Sequence, residues 1–181
     1  NIATLALSSF VDAPFIALIP TMAEEVLAAP NGTSLLIGAQ GIGAVAMAFA
    51  VGPITARWGP RRTLFTVMPL LPLALASYAL ASSLATAAVA IVFVGAFYLG
   101  ALATMTTVAQ VRAPDALRGR VLAVHTMVLG SFYPVGAMIQ GQIADEIGLP
   151  RTTVGAALLL GAVLLAARVV RPGISRALDE P

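Results

Sequence analysis

Gly52-Pro53-Ile54-Thr55-Ala56-Arg57-Trp58-Gly59-Pro60-Arg61-Arg62 is a short basic interruption between two long stretches that belong in lipid. From Val26 to Ala56 there is no charged side chain, and none from Thr63 to Val111. Runs of that length and polarity do not stay soluble in water. A connection holding Arg57, Arg61 and Arg62 between two apolar spans belongs on the cytoplasmic side, because arginine and lysine in short loops set membrane topology. That placement fixes the direction of every other span.

Composition points the same way. The chain has 181 residues, 59% hydrophobic and 10% charged, with a mean hydropathy of +0.95. A soluble domain carries about a quarter charged residues, so the chain reads as a polytopic membrane protein whose first partner is the lipid bilayer. All ten basic residues are arginine and the formal charge is only +2. The pI near 9.7 therefore reflects a few loop arginines, and no nucleic-acid partner is expected. The absence of cysteine excludes disulfides and thiol chemistry, and a single histidine makes a transition-metal site improbable. No metal or cofactor is implied. The sequence starts at Asn1 and enters apolar sequence with no basic leader, so no cleavable signal is expected and the chain reads as a piece of a longer protein.

A membrane-crossing helix needs roughly 20 mostly apolar residues. On that ruler the sequence predicts an all-α protein with six spans, near 2–26, 34–55, 63–81, 86–110, 121–144 and 152–170, in one domain covering 1–181. The period-two alternation of a membrane barrel is missing. Turn chemistry separates the spans at Ala29-Pro30-Asn31-Gly32, Gly59-Pro60, Ser82-Ser83, Pro114-Asp115 and Gly148-Leu149-Pro150. With the Gly52–Arg62 stretch inside, nine arginines fall inside and only Arg151 outside, where Glu24, Glu25, Asp145 and Glu146 gather. Both ends of the segment are then cytoplasmic, in what reads as a bacterial inner membrane.

Polar residues within spans are the candidate functional residues. Asp12 shares a helix face with Ser8 and Ser9, and Pro14 and Pro20 invite kinks. A carboxylate in a span is expensive and marks a functional candidate, against the plainer reading of a hydrated or helix-paired side chain. Gln40, Ala44, Ala48 and Gly52 recur every four residues as a ridge of small side chains suited to helix packing, with Gln40 able to face a cavity. Thr104, Thr106 and Thr107 are expected to bond back to their own helix. His125, one turn past Arg120, reads as a headgroup-level histidine or, alternatively, a proton relay. Tyr133 is a cavity-wall or core-packing residue. Asp115, after Pro114, is placed to cap a helix that starts in the loop, against the plainer reading of a solvated charged turn.

Two stretches carry a family resemblance. Pro114-Asp-Ala-Leu-Arg-Gly-Arg-Val121, followed by a helix with glycine and proline, resembles the loop before the penultimate helix of Major Facilitator Superfamily exporters of the enterobactin-exporter-like, multidrug-efflux type. Ile19-Pro-Thr-Met-Ala-Glu-Glu-Val-Leu27, the Gly-rich second helix and Gly52–Arg62 are similar to the start of the C-terminal half in that group. The family's loop pattern of Gly, three residues, Asp, basic, one residue, Gly and basic residues is matched at Gly52, Arg57, Gly59, Arg61 and Arg62. Ala56 stands where the pattern has Asp. Gly141-Gln-Ile-Ala-Asp145-Glu-Ile-Gly148 echoes the spacing on the outer face, where a plain capped turn is expected.

The resemblance implies a twelve-helix transporter of two six-helix halves, each a three-plus-three inverted repeat. This chain would be the C-terminal half, with its N-terminal six-helix partner missing. The implied activity is proton-coupled efflux of a small amphipathic compound, a drug or siderophore-like metabolite. Asp12 would be the coupling or substrate residue, with Gln40, Tyr133 and His125 as further candidates. Gly52, Arg57, Gly59, Arg61, Arg62, Asp115, Arg118, Gly119 and Arg120 would form the cytoplasmic gate. An uptake permease on the same fold and a non-transporting assembly partner are the alternatives. A membrane enzyme would need a convergent catalytic set, which the sequence lacks.

Overall fold

The computed structural model describes residues 13–29 and 31–170, and every regular element in them is helical. The expected span at 2–26 is met only in its second part, since residues 2–12 lie outside the described residues. That part is broken into a 3-10 turn at Ala13–Ile16, one α turn at Ile19–Thr21 and a π turn at Met22–Val26. Pro14 and Pro20 lack the N–H that a continuous ladder requires. Four long helices follow: α1 (Gly32–Ala79), α2 (Leu84–Arg112), α3 (Arg118–Ile147) and α4 (Leu149–Val170). All four are long and apolar enough to cross a membrane.

At 1.5 Å per residue, the 48 residues of α1 would far exceed a hydrocarbon layer of about 30 Å. The helix is interrupted at Gly59 (φ 80°, ψ 155°), which divides it into arms 32–58 and 60–79. The expected spans 34–55 and 63–81 both lie along this one helical run, one on either side of the break. Residues 56–62, expected to connect those spans as a loop, are therefore helical except at Gly59. Glycine occupies a backbone region closed to L side chains. Proline follows at the first helical position, where its missing N–H does no harm. Thr63 Oγ1 then donates to the Gly59 carbonyl at 3.0 Å.

The junction of α3 and α4 repeats this construction. Gly148 (φ 89°, ψ 145°) is the single break, and Thr152 Oγ1 donates to its carbonyl at 3.0 Å. Laid in register, 52–63 and 141–152 share Gly, Ile, Gly, Arg and Thr at equivalent positions. Gly59→Ala and Gly148→Ala are each expected to lower stability by about 1–3 kcal/mol, the cost of holding an L side chain in that region. Thermal melts in detergent check this, and a melt unchanged by either substitution would contradict the assigned backbone.

Helices α1 and α2 make the tightest contact. Gly43 lies against the Val92 carbonyl and Gly95 against the Gln40 carbonyl, and Gly100 faces Met47 and Val67. Between lipid-embedded helices, close packing replaces the hydrophobic drive, and small residues permit it. The packed face differs from the expected ridge: Ala48 and Gly52 are exposed, and no atom would meet a Cβ at Gly52 within 4 Å. At about 100° per residue, each four-residue step drifts about 40°, so a ridge repeated every four residues winds off the contact. Leu36, Gln40, Gly43 and Met47 alternate steps of four and three and stay on it.

The second arm of α1 supplies much of the core, with Leu71, Leu75 and Tyr78 in one buried cluster with Leu36, Ile91 and Val94. In the α1–α2 connection Ser83 and Thr86 form a reciprocal capping box, so α2 starts at Leu84 rather than 86. Helix α3 is the least embedded, burying only His125, Gly136 and Gln140. Alternation of the helices places Arg57, Arg61, Arg62, Arg118 and Arg120 at one end of the bundle. Glu24, Glu25, Asp145, Glu146 and Arg151 are at the other.

Candidate functional site

At the basic end, Val51, Gly52, Thr55 and Ala56 of α1 and Ala103 and Thr107 of α2 line an open groove of about 250 Å³. Ala56 contributes a methyl group where the resembled pattern has a carboxylate, so the residues lining the groove carry no charge. Beyond it Arg57 and Arg62 are exposed, as is Trp58, at 52%. The Arg61 guanidinium lies over the Phe65 ring, 6.0 Å from its centroid, the i, i+4 contact that one helical turn allows.

Asp115 does not cap a helix. It is the first residue of a 3-10 turn, Asp115–Leu117, whose N-cap is Pro114, with no side-chain cap bond. Proline at that position offers no side-chain acceptor, and the Asp115 carboxylate pairs instead with Arg118 Nη2 at 3.0 Å. Arg118 Nε also donates to the Gln110 carbonyl at 3.1 Å. The loop arginine thus ties the end of α2 to the start of α3. Gly119 and Arg120 are exposed beside it, and α3 begins at Arg118 rather than 121.

His125 is not at the surface. It is 8% exposed, and its Nε2 lies 3.2 Å from Thr106 Oγ1 on α2. Thr106 Oγ1 already donates to the Leu102 carbonyl at 2.8 Å. Its one hydrogen is therefore committed, the hydroxyl oxygen accepts from histidine, and the imidazole proton is assigned to Nε2. Thr104 and Thr107 bond back to Gly100 and Ala103 as the sequence predicts; Thr106 alone adds a link between helices. Thr106→Val should cost about 1 kcal/mol, the usual worth of such a bond. A double-mutant cycle with His125→Ala should show coupling of about 0.5–1 kcal/mol. Strict additivity in detergent melts would mean that the bond carries no stability.

Of the remaining candidates, Asp12, with Ser8 and Ser9, lies outside the described residues. Gln40 sits at the α1–α2 crossing, where its carbonyl meets Gly95, and Tyr133 is half-buried, one residue before Pro134. Neither touches the His125–Thr106 pair in any bond the structure records. Sequence reading passed over Gln140, which is 8% exposed, on the helix that packs against Ala13–Ile16. It also passed over the edge-to-face contact of Phe15 with Tyr98, with centroids 6.0 Å apart. A glutamine inside an otherwise apolar span, four residues after Gly136, was the available signal for Gln140. The Phe15–Tyr98 contact joins residues far apart in the chain and leaves no local signal.

A search of curated proteins found no match. Residues 5–179 match the family described as transmembrane secretion effector, MFS_3. With nearly its whole length matched, a bundle of membrane-length helices and charges divided between its two ends, the chain belongs to the transmembrane secretion effector family of Major Facilitator transporters.

Proposed function

We propose that this chain is the C-terminal six-helix half of a twelve-helix transporter that exports a small amphipathic compound, a drug or siderophore-like metabolite, in exchange for protons. The family match over residues 5–179 carries this reading. A three-plus-three inverted repeat is supported by the paired breaks at Gly59 and Gly148. They join the second to the third and the fifth to the sixth helix, share their backbone and threonine bond, and lie at opposite ends of the bundle. In this arrangement the exposed apolar face of α3, with Met127, Phe132, Val135 and Met138, and that of the first arm of α1, with Ile42, Val45 and Phe49, meet the N-terminal half.

Asp12 is the coupling residue on this reading, with Gln40, Tyr133 and His125 along or beside the path. The Gly52–Arg62 turn and the Asp115–Arg120 connection form the cytoplasmic gate of a protein in the bacterial inner membrane, with both ends of this segment cytoplasmic. Ala56 deprives that gate of a carboxylate, leaving the Asp115–Arg118 pair as its charge contact among the described residues. The test is accumulation of a fluorescent amphipathic cation in everted vesicles containing the full-length protein. Energised vesicles should concentrate the dye, and a protonophore should release it. Accumulation that ignores the pH gradient would end the proton-exchange reading.

A further inference from the structure

We propose that the turn at Arg57, Trp58 and Arg62 is a seat for the headgroup of an anionic phospholipid. The second glycine turn serves as an internal control. At Gly148 the same backbone and the same threonine bond are built with Asp145, Glu146 and Ile147 in place of Ala56, Arg57 and Trp58, and Pro150 in place of Arg61. Only Arg62 has an arginine counterpart, Arg151. The fold of the turn therefore does not require Arg57, Trp58 or Arg61; Arg61 is engaged within the chain, and Arg57 and Trp58 answer to something outside it.

Their chemistry indicates what that is. Arg57, Trp58 and Arg62 lie within one helical turn on either side of Gly59, and all three are exposed. Asp115, the one described acid at this end, is engaged by Arg118. No acidic side chain among the described residues lies within ion-pair reach of Arg57 or Arg62. Arg61 is held along the second arm over Phe65. Guanidinium groups bind phosphate through paired N–H donors. An exposed tryptophan, with an apolar body and one N–H, suits the boundary between acyl chains and headgroups. A soluble anion would satisfy the arginines but leave the indole body uncovered. A phospholipid covers both, and the helical arms 32–58 and 60–79 on either side of Gly59 each reach the roughly 20 residues that a span requires, which sets the turn at the membrane surface. The proposal rests on that placement and not on transport.

Trp58 is the only tryptophan in these 181 residues, so with any tryptophan elsewhere in the full-length protein replaced by phenylalanine its emission reports on the seat directly. The full-length protein is reconstituted in mixed vesicles of phosphatidylglycerol and phosphatidylcholine, with one or the other brominated in its acyl chains. Brominated phosphatidylglycerol should quench Trp58 beyond its mole fraction, with a preference of roughly five-fold per arginine engaged. Arg57→Gln with Arg62→Gln should reduce the two lipids to parity while phosphatidylcholine still quenches. Arg118→Gln with Arg120→Gln removes the same charge from the same end and should keep the preference.

Parity in the wild type, a preference that survives Arg57→Gln with Arg62→Gln, or one lost equally in the Arg118→Gln, Arg120→Gln variant would each overturn the seat. Displacement of the preference by millimolar glycerol phosphate would assign the site to a soluble anion and overturn it as well. Quenching by neither lipid would place the turn away from the membrane surface, so that the membrane placement fails with the proposal.

Discussion

Gly43→Ala and Gly95→Ala should each lower stability by about 3 kcal/mol or more, at or beyond the upper end of ordinary overpacking. A Cβ at Gly43 would overlap the Val92 carbonyl oxygen and stand 2.7 Å from its carbon, and one at Gly95 would overlap the Gln40 carbonyl oxygen. In both cases the obstructing atom is backbone, which no rotamer change moves. The helices must separate, and dispersion contacts along the α1–α2 seam weaken with distance. Gly38→Ala and Gly41→Ala are the controls on the same helix, since no atom lies within 4 Å of a Cβ at either position. They should be neutral or stabilising by up to about 1 kcal/mol, because alanine restricts the unfolded chain and favours helix. Thermal unfolding of the four variants in one detergent separates the two pairs. Equal melts across the set would mean that the helices do not cross at Gly43 and Gly95.

Asp12→Asn in the full-length protein should abolish concentrative transport while leaving substrate exchange. Asp12 is the one acid of the first span away from its ends, since Glu24 and Glu25 stand at the outer terminus of 2–26. Burial in a low-dielectric site raises a carboxyl pKa towards neutrality, which lets such a group load and release a proton as a cavity alternates between sides. Asparagine keeps the size and hydrogen-bonding capacity and removes the titration. A pH gradient of one unit is worth about 1.4 kcal/mol per proton, or about ten-fold accumulation for one-for-one exchange. The variant should lose that factor and still equilibrate labelled substrate across vesicles. Undiminished accumulation would reduce Asp12 to a packing residue, and loss of exchange together with accumulation would place it in the substrate site.

Much of the bundle was legible in the sequence because the bilayer acts on each residue separately. Apolar runs between Gly59-Pro60, Ser82-Ser83, Pro114-Asp115 and Gly148-Leu149-Pro150 mark helices, since hydrocarbon leaves a backbone few other ways to satisfy its polar groups. The arginine pattern separates the two ends in the same residue-by-residue way. The helix limits shifted by a few residues because the expected loops at Gly59 and Gly148 closed to single residues. Glycine dihedrals and a threonine four positions on made that possible. Composition alone does not distinguish that turn from a longer one.

The contacts between helices belong to the tertiary structure. Gly43 and Gly95, rather than the Gln40–Gly52 ridge, make the close crossing, because the face that packs depends on the partner's shape as much as on the helix's own spacing. His125 reads locally as a headgroup residue after Arg120. It is buried because Thr106, nineteen positions earlier, stands opposite with a free acceptor. Asp115 reads as a cap and is an ion-pair partner because Arg118 comes round to meet it. By itself the sequence determined which segments are helical, apolar and of membrane length, and how charge divides between their ends, since transfer into lipid is a property of each segment alone. Which faces touch and which polar atoms pair was decided only in the folded bundle, because those energies depend on two surfaces at once.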